Sequence, residues 1–320
     1  MVFPAIPGRK TRPQPDPKER TAMIIDDRSL DLVFKGFKTV YTDAFLEAPV
    51  HWDKIAMQVS STGRDETYGW LGQFPQLREW IGPRHVKSLQ AHKFTITNRK
   101  FESTVSIGRA DIADDRLGVF KPSFSEMGQS ARRHPEELVM GLLAKGFGET
   151  GFDGQNFFDT DHPVAGADGN VTAVSNMQAG SEAPWFLLDT SRQVRPIIWQ
   201  ERETYEFQSM TDPTNPHVFM NDDYLYGVRA RVNAGFGLWQ LGFGSKAALT
   251  AENYAAARAA MMSFRSDGGR ILGINPTTLI VPPALEQSAL HILNADRDAA
   301  GATNVWKGTA ALVVTPYLDA

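Results

Sequence analysis

Cysteine is absent from the 320 residues, which excludes disulfides, thiolate metal sites and a cysteine nucleophile and leaves the redox compartment open. No apolar run approaches the ~18 residues that a membrane-spanning helix needs. Pro4, Pro7 and Gly8 interrupt the apolar start, so a secretory signal is not expected and the chain reads as soluble, staying in the compartment where it is made. An excess of positive charge is lacking as well. The 33 Lys and Arg stand against 37 Asp and Glu, a net charge of −4, which is the wrong balance for a protein whose main task is to coat nucleic acid.

Catalytic signatures are equally scarce. There is no G-x-S-x-G elbow, and Gly244-Ser245-Lys246 inverts the order that a phosphate-binding loop requires. Gly235, Gly237, Gly242 and Gly244 are interleaved with Phe236, Trp239 and Phe243, a pattern that suits close backbone approach within a strand better than a nucleotide cradle. Asp153, Asp159, Asp161, His162 and Asp168 form the densest group of potential metal ligands. Their spacing fits no calcium loop, and no two histidines lie one helical turn apart, so turn chemistry is the expected role. The residues call for no cofactor, no metal and no catalytic activity.

What is present is a globular composition, 42% hydrophobic and 22% charged, long enough for about two domains. The first 22 residues differ from the rest: they hold Pro4, Pro7, Pro13, Pro15 and Pro17 and five basic residues. Such a stretch cannot offset its own ordering entropy, so on composition it is expected as a flexible tail or, if something holds it, as an extended arm for which a neighbouring subunit is the simplest surface. From Ser29 to Phe45 apolar residues recur every three or four positions, predicting a helix with Ser29 as N-cap; a short strand is expected over 55–59. Residues 63–93 place Trp70, Phe74 and Trp80 among six glycines and prolines with no self-burying period. That composition suggests an extended loop whose rings pack on another molecule, or else cover the chain's own core.

Alternating runs at Phe94–Ile96 and Phe101–Ile107, broken at Asn98, predict a hairpin or bulged strand. A long helix with Ser123 and Glu126 at capping-box spacing should follow, kinked or divided by Pro135 and ended by Gly146 and Gly148. Residues 163–183 read as a loop. Strands are predicted at 185–188, 196–199, 218–220, 224–228 and 236–241. A helix capped by Thr250, a buried strand at 278–281, a helix over 284–293 and a last strand at 311–314 complete an α+β layout.

Several stretches resemble the major head subunit of Mu-like phages: Thr67-Tyr68-Gly69-Trp70-Leu71-Gly72, Arg78-Glu79-Trp80, Asp153-Gly154-Gln155-Asn156-Phe157-Phe158-Asp159, Tyr224-Leu225-Tyr226-Gly227, Phe236-Gly237-Leu238-Trp239-Gln240 and Pro276-Thr277-Thr278-Leu279-Ile280-Val281-Pro282. Their order along about nine tenths of the chain carries the resemblance; no one of them is specific. It implies the Hong Kong phage-type capsid fold, partitioned as an N-terminal arm (1–28), a helix and strand (29–59), an extended loop and hairpin (60–108), a peripheral domain (109–249) with a spine helix (118–147), and an axial domain (250–320). The strands at 185–243 would belong to the peripheral sheet.

The function implied is a major capsid protein of a tailed double-stranded DNA phage or prophage, closing into hexamers and pentamers. Scaffold, portal and decoration proteins would be partners, DNA would be touched only non-specifically, and no membrane is involved. The chain would reside in the virion and assemble in the host cytoplasm. Expected intersubunit contacts are Trp70, Phe74 and Trp80 in the loop and Val2, Phe3 and Ile6 in the arm. A head-maturation hydrolase or protease and a monomeric binding module are the alternatives.

Overall fold

The computed structural model describes residues 25–72, 94–114, 116–298 and 300–318. Helix α1 (Asp27–Glu47) begins where the apolar period does, but its N-cap is Asp26. The Asp26 carboxylate accepts the Ser29 backbone N–H at 2.7 Å, and the Ser29 hydroxyl accepts the Asp26 N–H at 2.9 Å. Ser29, expected as the cap, therefore serves it from the third helical position of a reciprocal capping box. A single turn, α2 (Trp52–Ile55), delivers the chain to β1 (Ala56–Ser60). The short strands β2 (Asp65–Thr67) and β3 (Thr95–Thr97) bracket the long loop, and β4 (Arg99–Gly108) restarts the alternation after Asn98.

Past α3 (Arg109–Ala113) runs α4 (Lys121–Lys145), 25 residues and about 38 Å at 1.5 Å per residue. Pro122 lies in its first turn, where a missing N–H costs nothing. No side chain caps this end, and Ser123 falls inside the helix instead of at its start. Helix α4 passes through Pro135 undivided and stops at Gly146.

The segment expected to be a loop at 163–183 contains a hairpin, β5 (His162–Ala165) with β6 (Val171–Val174), followed by β7 (Met177–Gln178) and β8 (Trp185–Leu188). Two 14-residue strands, β9 (Ile197–Met210) and β10 (Asp223–Phe236), are joined through α5 (Pro216–Asn221). The expected strand at 218–220 is thus helical. The Asn215 side chain caps it by accepting the His217 N–H at 2.9 Å, and Asp222 ends it with φ 53°. That left-handed conformation is one that Asp tolerates better than most residues. Strand β10 ends at Phe236, and residues 239–241 form a 3-10 turn before β11 (Gly242–Ser245). Helix α6 (Ala251–Met262), β12 (Thr278–Val281), α7 (Glu286–Leu293) and β13 (Ala311–Val314) finish the chain. Thr250 caps α6 as expected, its hydroxyl accepting the Asn253 N–H at 3.2 Å.

The strands form two main sheets. One has the order β1–β9–β10–β4, with β1 parallel to β9 and the rest antiparallel; the other runs β13–β12–β8–β11–β7. The strands of 185–243, expected in one peripheral sheet, are therefore divided between two. The border expected at 249/250 cuts the second sheet, because β8 pairs on one side with β11 and on the other with β12, from beyond that border. Strands β8, β11 and β12 are buried at every position, and a strand covered on both faces carries no periodic signal of which sheet it joins. Gly244 shows how tightly these layers meet: a Cβ there would lie 2.7 Å from the Phe158 ring.

Two apolar cores result. The first packs α1 and the front of α4 on the outer half of the long sheet, with Phe37 stacked on Phe124 at 4.2 Å and Tyr41 on Phe207 at 5.2 Å. The second joins Val139, Met140 and Leu143 of α4 to the five-stranded sheet, α6 and α7. Where α1 crosses α4, Gly128 has no room for a side chain: a Cβ would run into the Tyr41 carbonyl oxygen and approach the Ala44 Cβ to 3.1 Å. This close contact outweighs the ~1 kcal/mol that glycine costs inside a helix. Gly128→Val should push the two helices apart and destabilise the fold by ~1–3 kcal/mol. A thermal melt checks this, and an unchanged midpoint would show that the crossing tolerates added volume.

Candidate intersubunit surface at the root of the extended loop

The described residues on either side of 73–93 are zipped together. Asp65, Glu66 and Thr67 pair with Thr97, Ile96 and Thr95, the Tyr68 N–H donates to the Phe94 carbonyl at 2.8 Å, and the Asn98 N–H donates to Arg64 at 2.9 Å. Beneath them, Ile96 lies over Gly235 of β10, where a Cβ would collide with its side chain.

A buried polar hub ties this root to the long sheet. Gln200 of β9 has no exposed surface. Its carbonyl oxygen accepts the Tyr68 hydroxyl at 2.8 Å, and its amide donates to the Ile96 carbonyl at 3.1 Å and to Asn98 Oδ1 at 2.8 Å. Asn98 in turn donates to the Ser61 hydroxyl at 2.8 Å and the Gly63 carbonyl at 3.0 Å. Asn233 of β10 reaches the Thr97 carbonyl at 2.8 Å. Burial, and then the nearby Glu66, push the Tyr68 phenol up to about 12, so it remains a donor at neutral pH. The backbone N–H groups of Thr62 and Gly63, joined by the Ser61 hydroxyl, hold the Glu66 carboxyl below the ordinary range.

On this base Trp70 turns outward. Its neighbours Tyr68 and Leu71 are 4% and 0% exposed, whereas Trp70 is 37% exposed and meets Tyr68 only edge-on, with ring centroids 6.4 Å apart. Gly72, at φ 80°, then redirects the chain. Of the expected contact residues, Phe74, Trp80, Val2, Phe3 and Ile6 lie outside the described residues. The hub residues Gln200 and Asn98 were not among those expectations. The available signal was a polar residue closing the otherwise apolar run Ile197-Ile198-Trp199.

The acidic and histidine residues at 153–168 do not converge as one set. His162 is fully buried, with its ring nitrogens 2.7 Å from Asp153 Oδ2 and 3.1 Å from Asn176 Oδ1, and it stacks on Trp239 at 4.0 Å. Asp159 accepts the N–H groups of Asn156 and Thr160, and Asp168 serves its own turn through Asn170. The partners of His162, Asp159 and Asp168 are those of a folded turn region.

The family model of the Mu-like prophage major head subunit gpT matches residues 30–318. The chain belongs to the Mu-like gpT major head subunit family. It is 41% identical over 305 residues to the major capsid protein of Escherichia phage Mu, covering 92% of this chain and all of the relative. It matches the procapsid chain of bacteriophage JBD30 with a TM-score of 0.82 and 44% identity, again over 92% of this chain and all of the other. A JBD30 capsid decorated with minor capsid protein trimers matches with a TM-score of 0.72 and 34% identity, over 86% of this chain and 93% of that one.

The fold is thus the Hong Kong phage-type capsid fold, and this gpT-family chain is a tailed-phage major capsid protein, structural rather than catalytic. The hydrolase and monomeric-module alternatives fall with that assignment. The loop root is then a structural anchor. Gln200→Leu should leave its former partners, among them the Tyr68 hydroxyl and Asn98, without a buried counterpart, at ~1–3 kcal/mol for each unsatisfied group. Limited proteolysis should cut residues 61–98 faster in this variant while the circular dichroism spectrum persists. An unaltered cleavage pattern would mean that the hub does not anchor the loop.

Proposed function

We propose that copies of this chain close into hexamers and pentamers of an icosahedral shell around double-stranded DNA, with the extended loop and the N-terminal arm lapping onto neighbours. The observation that carries this is Trp70, a large ring held outward on a root that is itself fully tied down. Trp is a frequent anchor at interface centres. A capsomer ring needs heterologous contacts repeated by rotation. Overlapping extensions let each subunit bury more than its compact body could, toward the ~2,000 Å² or more that is typical of obligate assemblies.

In this reading the long sheet with α1 and α4 is the peripheral domain, and the five-stranded sheet with α6 and α7 is the axial domain. A slightly acidic subunit, at −4, suits a container that must release its DNA, since phosphate binding strengthens with clustered positive charge. Assembly would take place in the host cytoplasm, with scaffold and portal proteins as partners and decoration of the kind seen on the JBD30 capsid.

Electron microscopy and light scattering of the purified chain test the shell directly, because a protein that stays monomeric under assembly conditions sinks it. Trp70→Ala or Trp80→Ala should impair particle formation while the subunit keeps its circular dichroism spectrum. Unfolding of the free subunit would instead place those rings in the chain's own core.

The arm gives an independent check. Val2, Phe3 and Ile6 are its apolar anchors, and Arg9, Lys10 and Arg12 add contacts that salt screens, with a Debye length of about 3 Å at 1 M. Ordering it costs on the order of 1 kcal/mol per residue in backbone entropy, so it docks only when a shell supplies the surface. Deleting residues 1–22 should leave the subunit folded but lower the particle's resistance to denaturant. Equal resistance would remove the arm from the interface.

A further inference from the structure

His162 opens β5 and is fully buried, yet both of its ring nitrogens face oxygen atoms. Nδ1 lies 2.7 Å from Asp153 Oδ2, and Nε2 lies 3.1 Å from Asn176 Oδ1. A neutral imidazole has one N–H and one lone pair, so it needs one acceptor and one donor. The orientation of the Asn176 amide decides what Nε2 meets, and the other partners of that amide fix it. Its nitrogen is set among the carbonyl oxygens of Phe157, Trp239 and Gly242, at 2.8, 3.3 and 3.2 Å, which only accept. Its oxygen takes the Asp159 backbone N–H at 2.9 Å, which only donates. Turned over, the amide would set oxygen against three carbonyls and N–H against N–H. Nε2 therefore carries a proton and donates to Asn176.

The partner of Nδ1 is a carboxyl group. If that nitrogen bore only a lone pair, the lone pair would face an ionised oxygen at 2.7 Å, in a site where the side chains of His162 and Asp153 are 0% and 7% exposed. Such a contact is costly when buried, and a proton on Nδ1 turns it into a charge-assisted hydrogen bond. The surroundings favour the charged form of both groups. Asp153 Oδ1 accepts the Gln155 N–H at 3.3 Å. The imidazole lies flat on Trp239, with centroids 4.0 Å apart and planes 11° apart, and an indole face attracts a cation. Asp159 adds a second negative charge: burial works against it, but the N–H groups of Thr160 and Asn156 hold its carboxyl below the ordinary range.

We propose that His162 is held as an imidazolium paired with the Asp153 carboxylate, and that its second proton latches the β5–β6 hairpin to the five-stranded sheet. Four segments meet at this ring: the turn after α4 through Asp153, β5 itself, Asn176 beside β7, and Trp239 in the turn before β11. Asp153 and Asp159 are the charged groups set against it, whereas Asn176 and Trp239 are uncharged. Stripping the second proton restores the contact of lone pair and carboxylate, so the latch is closed at neutral pH and opens as the pH rises. Asp159 has the opposite sense, since acid removes the charge that its N–H partners hold.

NMR of the full chain with isotopically labelled histidine reads the two ring nitrogens directly. The His162 signals are identified by transfer from the Trp239 ring, so no substitution is needed. At neutral pH both nitrogens should be protonated; a single protonated nitrogen, at either position, overturns the proposal. Asp153→Asn keeps the shape and removes the charge, and in that variant Nδ1 should lose its proton while Nε2 keeps it. A ring still doubly protonated there would show that Asp153 does not hold the proton. Hydrogen exchange tests the latch, with β10 as the internal reference for base catalysis. Between neutral and alkaline pH the native hairpin at 162–174 should lose protection relative to β10, and this dependence should vanish in Asp153→Asn. A native hairpin that follows β10 at every pH would mean that the proton fastens nothing.

Discussion

Helix α4 is packed along nearly its whole length, and the two halves of the molecule meet through it. Phe124, Met127 and Ala131 belong to the core under α1, whereas Val139, Met140 and Leu143 belong to the core that holds the five-stranded sheet. A helix shared by two cores transmits position between them, because close-packed interiors deform in discrete steps and not continuously. Between the two sets lies Glu136, only 5% exposed, whose carboxylate oxygen accepts the backbone N–H groups of His51 and Trp52 at 2.7 and 2.8 Å. A buried carboxylate is tolerable only when hydrogen-bonded. Here its partners are the otherwise unpaired donors at the start of α2, so the chain leading into β1 is pinned to the middle of α4.

The same device recurs wherever a distant segment must be aimed. Gln200 joins β9 to residues 68, 96 and 98, more than a hundred positions earlier in the chain. Asn176 gathers the carbonyls of Phe157, Trp239 and Gly242 through one amide. Apolar burial is non-directional, so it can hold these segments close without fixing their orientation. A buried amide with every donor and acceptor satisfied does fix it, because a rotated arrangement would strand polar groups at ~1–3 kcal/mol each. At the paired segments 64–68 and 94–98 this directional control fixes how the chain enters and leaves the body's sheet.

This explains which parts were legible in the sequence. Helices α1 and α6 carry several turns of apolar period and a side-chain cap, and both stand where the period places them. Helix α5 is too short for a period, and Val218-Phe219-Met220 has strand composition; the Asn215 cap and the left-handed Asp222 decide its form. The division of strands between two sheets could not be read, since β8 and β12 are wholly buried and look alike from either sheet. Trp70 could be singled out in the sequence because its ring stands among glycines and prolines with no self-burying period, and the structure leaves it 37% exposed beside Tyr68. Gln200 could not be, because its partners are set by the tertiary fold and lie far away in sequence.

The surfaces left outward share a property that matters for a shell. Trp70 and the exposed Phe219 and Met220 of α5 lie on different elements, and each patch alone is small. Association must first offset ~4–15 kcal/mol of lost translational and rotational freedom, and a patch of ~300 Å² at ~25 cal/mol/Å² supplies about 7.5 kcal/mol before side-chain ordering is subtracted, so one such patch leaves little or no surplus. Once one contact is made, each further contact becomes intramolecular and meets an effective concentration in the millimolar range. On the shell reading proposed above, small, separated contacts would make a wrongly placed neighbour, which satisfies only some of them, quick to leave. One large apolar face would bind as strongly and would lose that selectivity, so on that reading the distribution of such patches over the surface would itself help to specify the assembly.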